Sequence, residues 1–181
     1  MKLRLSLLFL LIIQVPVLAQ EPSVLLRVDV QRPIMVFSDP MSDHIYATIQ
    51  CTENSIPPVC FVQKVYPCHF YGEVFVIDEE MDYKVYEGYI EKTSCYGVLY
   101  PDIYVKNEEG ASEPIVRLFS QPSKESSFTS IPIGLQNIEA IPLDIVYNEG
   151  REFSRVFFIF ENEYYEGWVT RLCSQPFTTC N

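Results

Sequence analysis

The chain has 181 residues, 48% of them hydrophobic, with 24 acidic against 13 basic side chains and a net charge of −11. So strong an acidic excess repels phosphate backbones and anionic headgroups, which argues against nucleic acid as a partner. The length suffices for one ordinary domain, or for two small ones with limited cores.

The N-terminus reads as an export signal. Lys2 and Arg4 form a short positive region, LSLLFLLII (5 to 13) is apolar, and Pro16 ends the run. The apolar core falls short of the roughly 20 residues a bilayer span needs. Val17-Leu18-Ala19 then places acceptable residues at −3 and −1 of a cleavage site before Gln20. Residues 1–19 are therefore expected to be a signal peptide, with the mature chain secreted or periplasmic and not inserted in a membrane. Loss of Lys2 and Arg4 leaves 11 basic against 24 acidic residues, a net charge of −13. No Asn-x-Ser/Thr sequon is present, which suits a bacterial export route.

Beyond the signal, helical periodicity is almost absent. Short β-branched and aromatic runs follow one another: VLLRVDV (24 to 30), IYATIQ (45 to 50), EVFVID (73 to 78), DIYVK (102 to 106), LDIVY (143 to 147) and RVFFIF (155 to 160). Their length and spacing predict an all-β protein of small barrels or sandwiches. DEEMD (78 to 82) and NEGRE (148 to 152) read as hairpin or loop tips.

Six cysteines remain after cleavage: Cys51, Cys60, Cys68, Cys95, Cys173 and Cys180. An even number in an exported chain reads as three disulfides, although six thiols allow fifteen pairings. The least crossed arrangement joins Cys173 to Cys180 and keeps the other four within their own half.

Two motifs recur in order. PIMVFSDPMSD (33 to 43) resembles PIVRLFSQPSKES (114 to 126), and YEGYI (86 to 90) resembles YEGWV (165 to 169). The offset is 82 residues at Phe37 and Phe119, and 79 at Gly88 and Gly167. This predicts two copies of one module, 20–106 and 114–181, joined by the polar stretch 107–113. Gly88 and Gly167 are expected to supply a tight turn of positive φ or a close backbone approach that a Cβ forbids. Of the pairs that follow, Tyr89-Ile90 and Trp168-Val169, one residue each should point inward.

IVRLFSQPS (115 to 123) followed by EGWVTRL (166 to 172) resembles the two ends of bacterial-type SH3 (SH3b) domains. The first half is similar but degenerate, with PIMVFSDP at its opening and EGYIEKTSC at its close. The resemblance covers residues 112 to 173, and more loosely 25 to 99. It implies two tandem SH3-like small barrels, here cross-linked by disulfides, that act as binding modules for a peptide, a protein or a cell-wall component. The long stretch bearing Cys51, Cys60 and Cys68 departs from the family pattern.

Candidate chemistry is sparse. The two histidines, His44 and His69, lack the clustered Cys and carboxylate partners of a metal site. Cys68 and His69 are adjacent, so on a strand they face opposite ways and cannot share a proton. The acidic clusters show no pair placed for general acid–base work, and no G-x-S-x-G, H-E-x-x-H or P-loop occurs. Neither an enzyme nor a cofactor is expected. The aromatics carry more signal, with 12 Tyr, 12 Phe and a single Trp. Tyr86, Tyr89, Tyr164, Tyr165 and Trp168 flank the two repeated glycines and are the expected ligand-binding residues, Tyr165 and Trp168 the most exposed of them. The reading is an exported binding or scaffolding protein. The alternatives are a secreted inhibitor whose acidic loops block a basic enzyme cleft, and a small cell-wall hydrolase.

Overall fold

The computed structural model describes residues 24–29, 31–41, 43–51, 56–77, 82–101, 103–106 (backbone alone), 110, 112–134 and 136–173. The expected signal peptide (residues 1–19), most of DEEMD, and Cys180 lie outside the described residues. The rest is all-β, as composition and spacing predict. In chain order the strands are β1 (Leu25–Val28), β2 (Ile34–Phe37), β3 (Ile45–Ile49), β4 (Val59–Val65), β5 (His69–Ile77), β6 (Tyr83–Glu91) and β7 (Cys95–Leu99). They continue with β8 (Ile103–Lys106), β9 (Ser112–Phe119), β10 (Phe128–Pro132), β11 (Ile138–Asn148), β12 (Arg151–Phe160), β13 (Glu163–Val169) and β14 (Leu172–Cys173). Among the described residues one 3-10 turn occurs, Lys92–Ser94, between β6 and β7.

All 14 strands belong to one hydrogen-bonded network of antiparallel pairs, in the order β10-β9-β13-β12-β11-β7-β1-β4-β5-β6-β2-β3, with β14 on β7 and β8 on β9. Outward from the centre, β4-β5-β6-β2-β3 on one side has the same order as β11-β12-β13-β9-β10 on the other. Each strand of the first run stands seven places before its counterpart in the chain. Between them, β1 and β7 form a seam, and β7 pairs with β1, with β11 and with β14. Strand β8, upstream of the 107–113 stretch, pairs with β9. Hydrogen bonding therefore runs across that stretch. One cluster of buried residues, from Val24 to Leu172, draws on both halves.

Strand alternation explains the burial. In β4, Cys60 and Val62 are buried and their neighbours are not, and in β5 Phe70, Gly72 and Val74 are buried in the same way. Lys92, in the 3-10 turn, is a buried charged residue. Its Nζ donates to the carbonyl oxygen of Leu143 in β11 and lies 5.2 Å from the centre of the Phe70 ring. Burial pushes this ammonium below the usual lysine range, partly offset by Asp144 and Cys68. The contact ties the 3-10 turn of one half to a strand of the other.

The repeated glycines do not make turns. Gly88 lies inside β6 and Gly167 inside β13, and neither has positive φ. The reversal before Gly167 occurs at Glu161-Asn162, with φ of 51° and 64° between the paired Phe160 and Glu163. The NEGRE tip is built alike, Glu149 and Gly150 having φ of 53° and 72° between paired Asn148 and Arg151. Positive φ at both central residues matches the right-handed twist of the flanking strands. What the repeated glycines permit is a crossing. A Cβ on Gly88 would stand 2.6 Å from Cγ1 of Val36 and 2.8 Å from the carbonyl oxygen of Phe37. A Cβ on Gly167 would stand 2.5 Å from Cγ of Leu118 and 3.1 Å from the carbonyl oxygen of Phe119. Both glycines thus lie under the last two residues of the strand that carries the repeated Phe-Ser motif, β2 in one half and β9 in the other. Their neighbours Ile90 and Val169 are the inward residues, 0% and 1% exposed.

These distances rank three substitutions. At Gly72 a Cβ would meet the backbone oxygen of Phe61 at 2.1 Å, and backbone cannot swing aside. Urea unfolding should find Gly72→Ala the most destabilising, then Gly88→Ala, then Gly167→Ala, where the nearest obstacle is a leucine side chain. Costs of about 1–3 kcal/mol are expected. Equal midpoints for Gly88→Ala and the parent would contradict the crossing.

Candidate functional site

The outward faces of the two long hairpins carry matching constellations. On the first, Tyr71 of β5 stands directly opposite Tyr89 of β6, their ring centres 5.0 Å apart. The Tyr71 hydroxyl donates to Oε1 of Glu87, two residues before Tyr89. Tyr66, after β4, sets its ring edge against Tyr89 at 5.2 Å. Tyr89 is paired on its other side with Phe37, against whose ring His69 stands edge-on at 5.5 Å. Tyr66, Tyr71 and Tyr89 are all half-buried, and Lys64 lies 6.0 Å from the Tyr71 ring centre. The result is a tilted aromatic surface bordered by Glu87 and Lys64.

On the second hairpin, Arg155 of β12 stands opposite Trp168 of β13, and its guanidinium bonds Glu166, two residues before Trp168. Trp168 is paired on its other side with Phe119. Arg155 thus takes the register position of Tyr71, Glu166 that of Glu87, Trp168 that of Tyr89 and Phe119 that of Phe37. The chemistry differs. The first face is aromatic and acidic, whereas the second joins one indole to an ion pair, with Arg117 5.3 Å from the Phe119 ring and 5.6 Å from that of Phe128.

The five aromatics expected from sequence do not share a face. Tyr89 and Trp168 are outward and half-buried, in equivalent places. Tyr164 is outward and the most exposed of the five at 74%, with its ring stacked on Phe157. Tyr86 and Tyr165 pack against the core from the inner side, Tyr165 stacked on Phe158 and bonded through its hydroxyl to Glu163 at 3.1 Å. Tyr165 was expected to be exposed, but strand alternation from buried Val169 places it inward. Sequence reasoning missed Tyr66, Tyr71, Glu87, Arg155 and Glu166, because it followed the glycine motif along one strand of each hairpin. The facing strand supplies the other half of each constellation, and its residues become neighbours only through register.

The cysteines differ from expectation. Cys51, Cys60, Cys68 and Cys95 carry thiols in this structure, whereas Cys173 is disulfide-bonded. Its expected partner, Cys180, is outside the described residues. Cys68 is exposed in the β4–β5 turn, whereas Cys60 and Cys95 are buried. His44 accepts or donates at Nδ1 with the Ser38 hydroxyl at 3.3 Å. Among the described residues no group of three or more His, Cys, Asp or Glu is arranged to hold a metal ion.

Comparisons with protein-family models, with curated proteins and with solved structures find no match to this chain.

The hydrogen bond to Glu87, foremost, and then burial push Tyr71 up to about 12. The Tyr66 hydroxyl raises Tyr89 in the same sense. A phenol whose pKa is raised by folding is favoured in its protonated form. The stability it contributes is therefore complete below pH 10 and is lost as the pH rises through about 12. Tyrosinate absorbance should show a late-titrating component that disappears in Tyr71→Phe and moves to lower pH in Glu87→Gln. An unchanged titration curve in both variants would remove the Tyr71–Glu87 bond.

Proposed function

We propose that the chain is an exported, non-catalytic binding protein built from two SH3-like modules, which grips an extended segment of a protein or cell-wall peptide on the outward faces of its hairpins. The duplication is supported by the matching strand orders on either side of the seam and by the crossings at Gly88 and Gly167. A binding role is supported above all by one observation. Tyr89 and Trp168 occupy the same register position, each between the phenylalanine of the Phe-Ser motif (Phe37 or Phe119) and a facing-strand side chain, each with a glutamate two residues before it.

Tyr and Trp rings on a rigid strand offer wide apolar planes with polar tips and lose little side-chain freedom on contact. Glu87 and Glu166 add acceptors at the margin, which favours a ligand carrying basic or donor groups. Two related faces of different chemistry on one chain suit a ligand with two distinct contact segments, or two ligands.

Trp168 is the only tryptophan, so its emission reports directly on the second face. Immobilised basic and proline-containing peptides and soluble peptidoglycan fragments are the probes. The expected result is retention of one probe class by the parent chain and a loss of about tenfold or more in affinity in Tyr89→Ala/Trp168→Ala, the effect of removing aromatic anchors from an interface. Equal binding by parent and variant, or binding of no probe by the parent, overturns the proposal.

A further inference from the structure

Register gathers side chains at the seam that no sequence motif joins. Arg27 of β1 is paired with Tyr96 of β7, Glu139 of β11 with Val98 of β7, and Ile141 of β11 with Phe157 of β12. Paired residues in an antiparallel ladder project to one face, as do residues two apart along a strand. Arg27, Tyr96, Glu139, Ile141, Phe157 and Ile159 therefore share the outward face, opposite Leu26, Val28, Ala140 and Phe158 of the core cluster. That face is hollow here. Two adjoining clefts of about 460 and 490 Å³ share Glu139 and Ile159 at their boundary. Small-ligand sites span about 300–1,000 Å³.

One atom gives the hollow a demand of its own. Nε of Arg27 is buried and meets no hydrogen-bond acceptor among the described residues. A buried donor left unpaired is costly and rare in folded chains, so this one calls for an oxygen from a ligand. Charge narrows the class of that ligand. Glu139 and Glu161 line the same cleft as Arg27, and the chain carries a net charge of −11. A carboxylate or phosphate would gain one cation there while facing two anions. The four strands of the floor, β1, β7, β11 and β12, are each bonded on both edges, so an extended peptide finds no strand to pair with. The ligand must be held by side chains. Exposed Gln136, Asn137, Glu139 and Glu161 offer acceptors and donors in the first cleft. Tyr96, Ile141, Phe157 and Ile159 give the second an apolar lining. Hydroxyl groups, which both donate and accept, match the first, and a ring with an apolar face matches the second.

We propose that the outward cleft at the seam, centred on Arg27 and Glu139, binds a neutral oligosaccharide. Nε of Arg27 donates to a sugar oxygen, and the carboxylates of Glu139 and Glu161 accept from sugar hydroxyls. Tyr96, Ile141 and Phe157 lie along the C–H face of the adjoining ring. This site is separate from Tyr89 and Trp168, and it stands whether or not the hairpin faces bind anything.

The test is calorimetric titration of the full chain with neutral tetrasaccharides of the cello, malto, xylo and N-acetylglucosamine series. A sulfated oligosaccharide serves as the anionic control. Binding of at least one neutral series is expected, with an affinity that added salt leaves unchanged. Arg27→Met removes the donor and should weaken that binding about tenfold or more. Its urea midpoint should hold or rise, because an unmet buried donor has gone. Glu139→Gln, at an exposed position, should also weaken binding while leaving the midpoint unchanged. Tyr89→Ala/Trp168→Ala should bind the sugar as the parent does. Binding of no neutral series, preference for the sulfated probe, or parent-like affinity in both Arg27→Met and Glu139→Gln overturns the proposal. So does a lowered midpoint in Arg27→Met, which would make the guanidinium a structural prop. Loss of sugar binding in Tyr89→Ala/Trp168→Ala overturns it too, by moving the sugar to the hairpin faces.

Discussion

Strand β7 is bonded along both edges, and the rest of the molecule is arranged around that fact. Its five residues hold β1 and β14 on one side and β11 on the other. A buried strand must have its backbone donors and acceptors met by other strands. Here the partners come from both halves of the chain, so neither half satisfies the centre alone. The 3-10 turn just before β7 adds the Lys92 contact to β11. The seam is thus a shared piece of both units rather than a boundary between them.

From that seam the two halves extend in the same strand order, each through a long hairpin with one face on the main buried cluster and the other turned outward. Inner faces are committed to packing and leave little room for chemical variety. The outer faces differ, a tyrosine cluster in one half and an arginine–glutamate pair with an indole in the other. The common geometry comes from the crossing under Phe37 and Phe119, and the difference from the residue standing opposite the ring, Tyr71 or Arg155. A framework with the same strand order in its two halves can in this way present two surfaces of unlike chemistry.

Much of the strand content was legible in the sequence. The runs at 45 to 50, 73 to 78 and 155 to 160 each fall within or largely over a strand, because β-branched and aromatic residues at short spacing suit a pleated, half-buried surface. The repeated motif was legible too, as was the expectation that one residue of each pair after the glycines points inward; only the structure shows that these are Ile90 and Val169. The role of the glycines was only half readable. Their rarity and position implied a backbone demand, but a turn and a close crossing make the same demand on sequence. The turn belongs instead to Glu161-Asn162, where Asn162 tolerates positive φ and Glu161 adopts it within the hairpin. Of the site, Tyr89 and Trp168 could be named in advance. Tyr71, Tyr66 and Arg155 could not, since nothing local distinguishes them from other strand residues.

The sequence by itself determined the class of structure, the order of its strands along the chain and the recurrence of one motif. These depend on side-chain shape and spacing, which are local. Tertiary structure alone decided which strands lie side by side, which ring shares a face with which glutamate, and which of the described cysteines are buried. Those outcomes depend on register and on pairings between distant segments, and an antiparallel ladder shifted by one residue would exchange every inner side chain for an outer one.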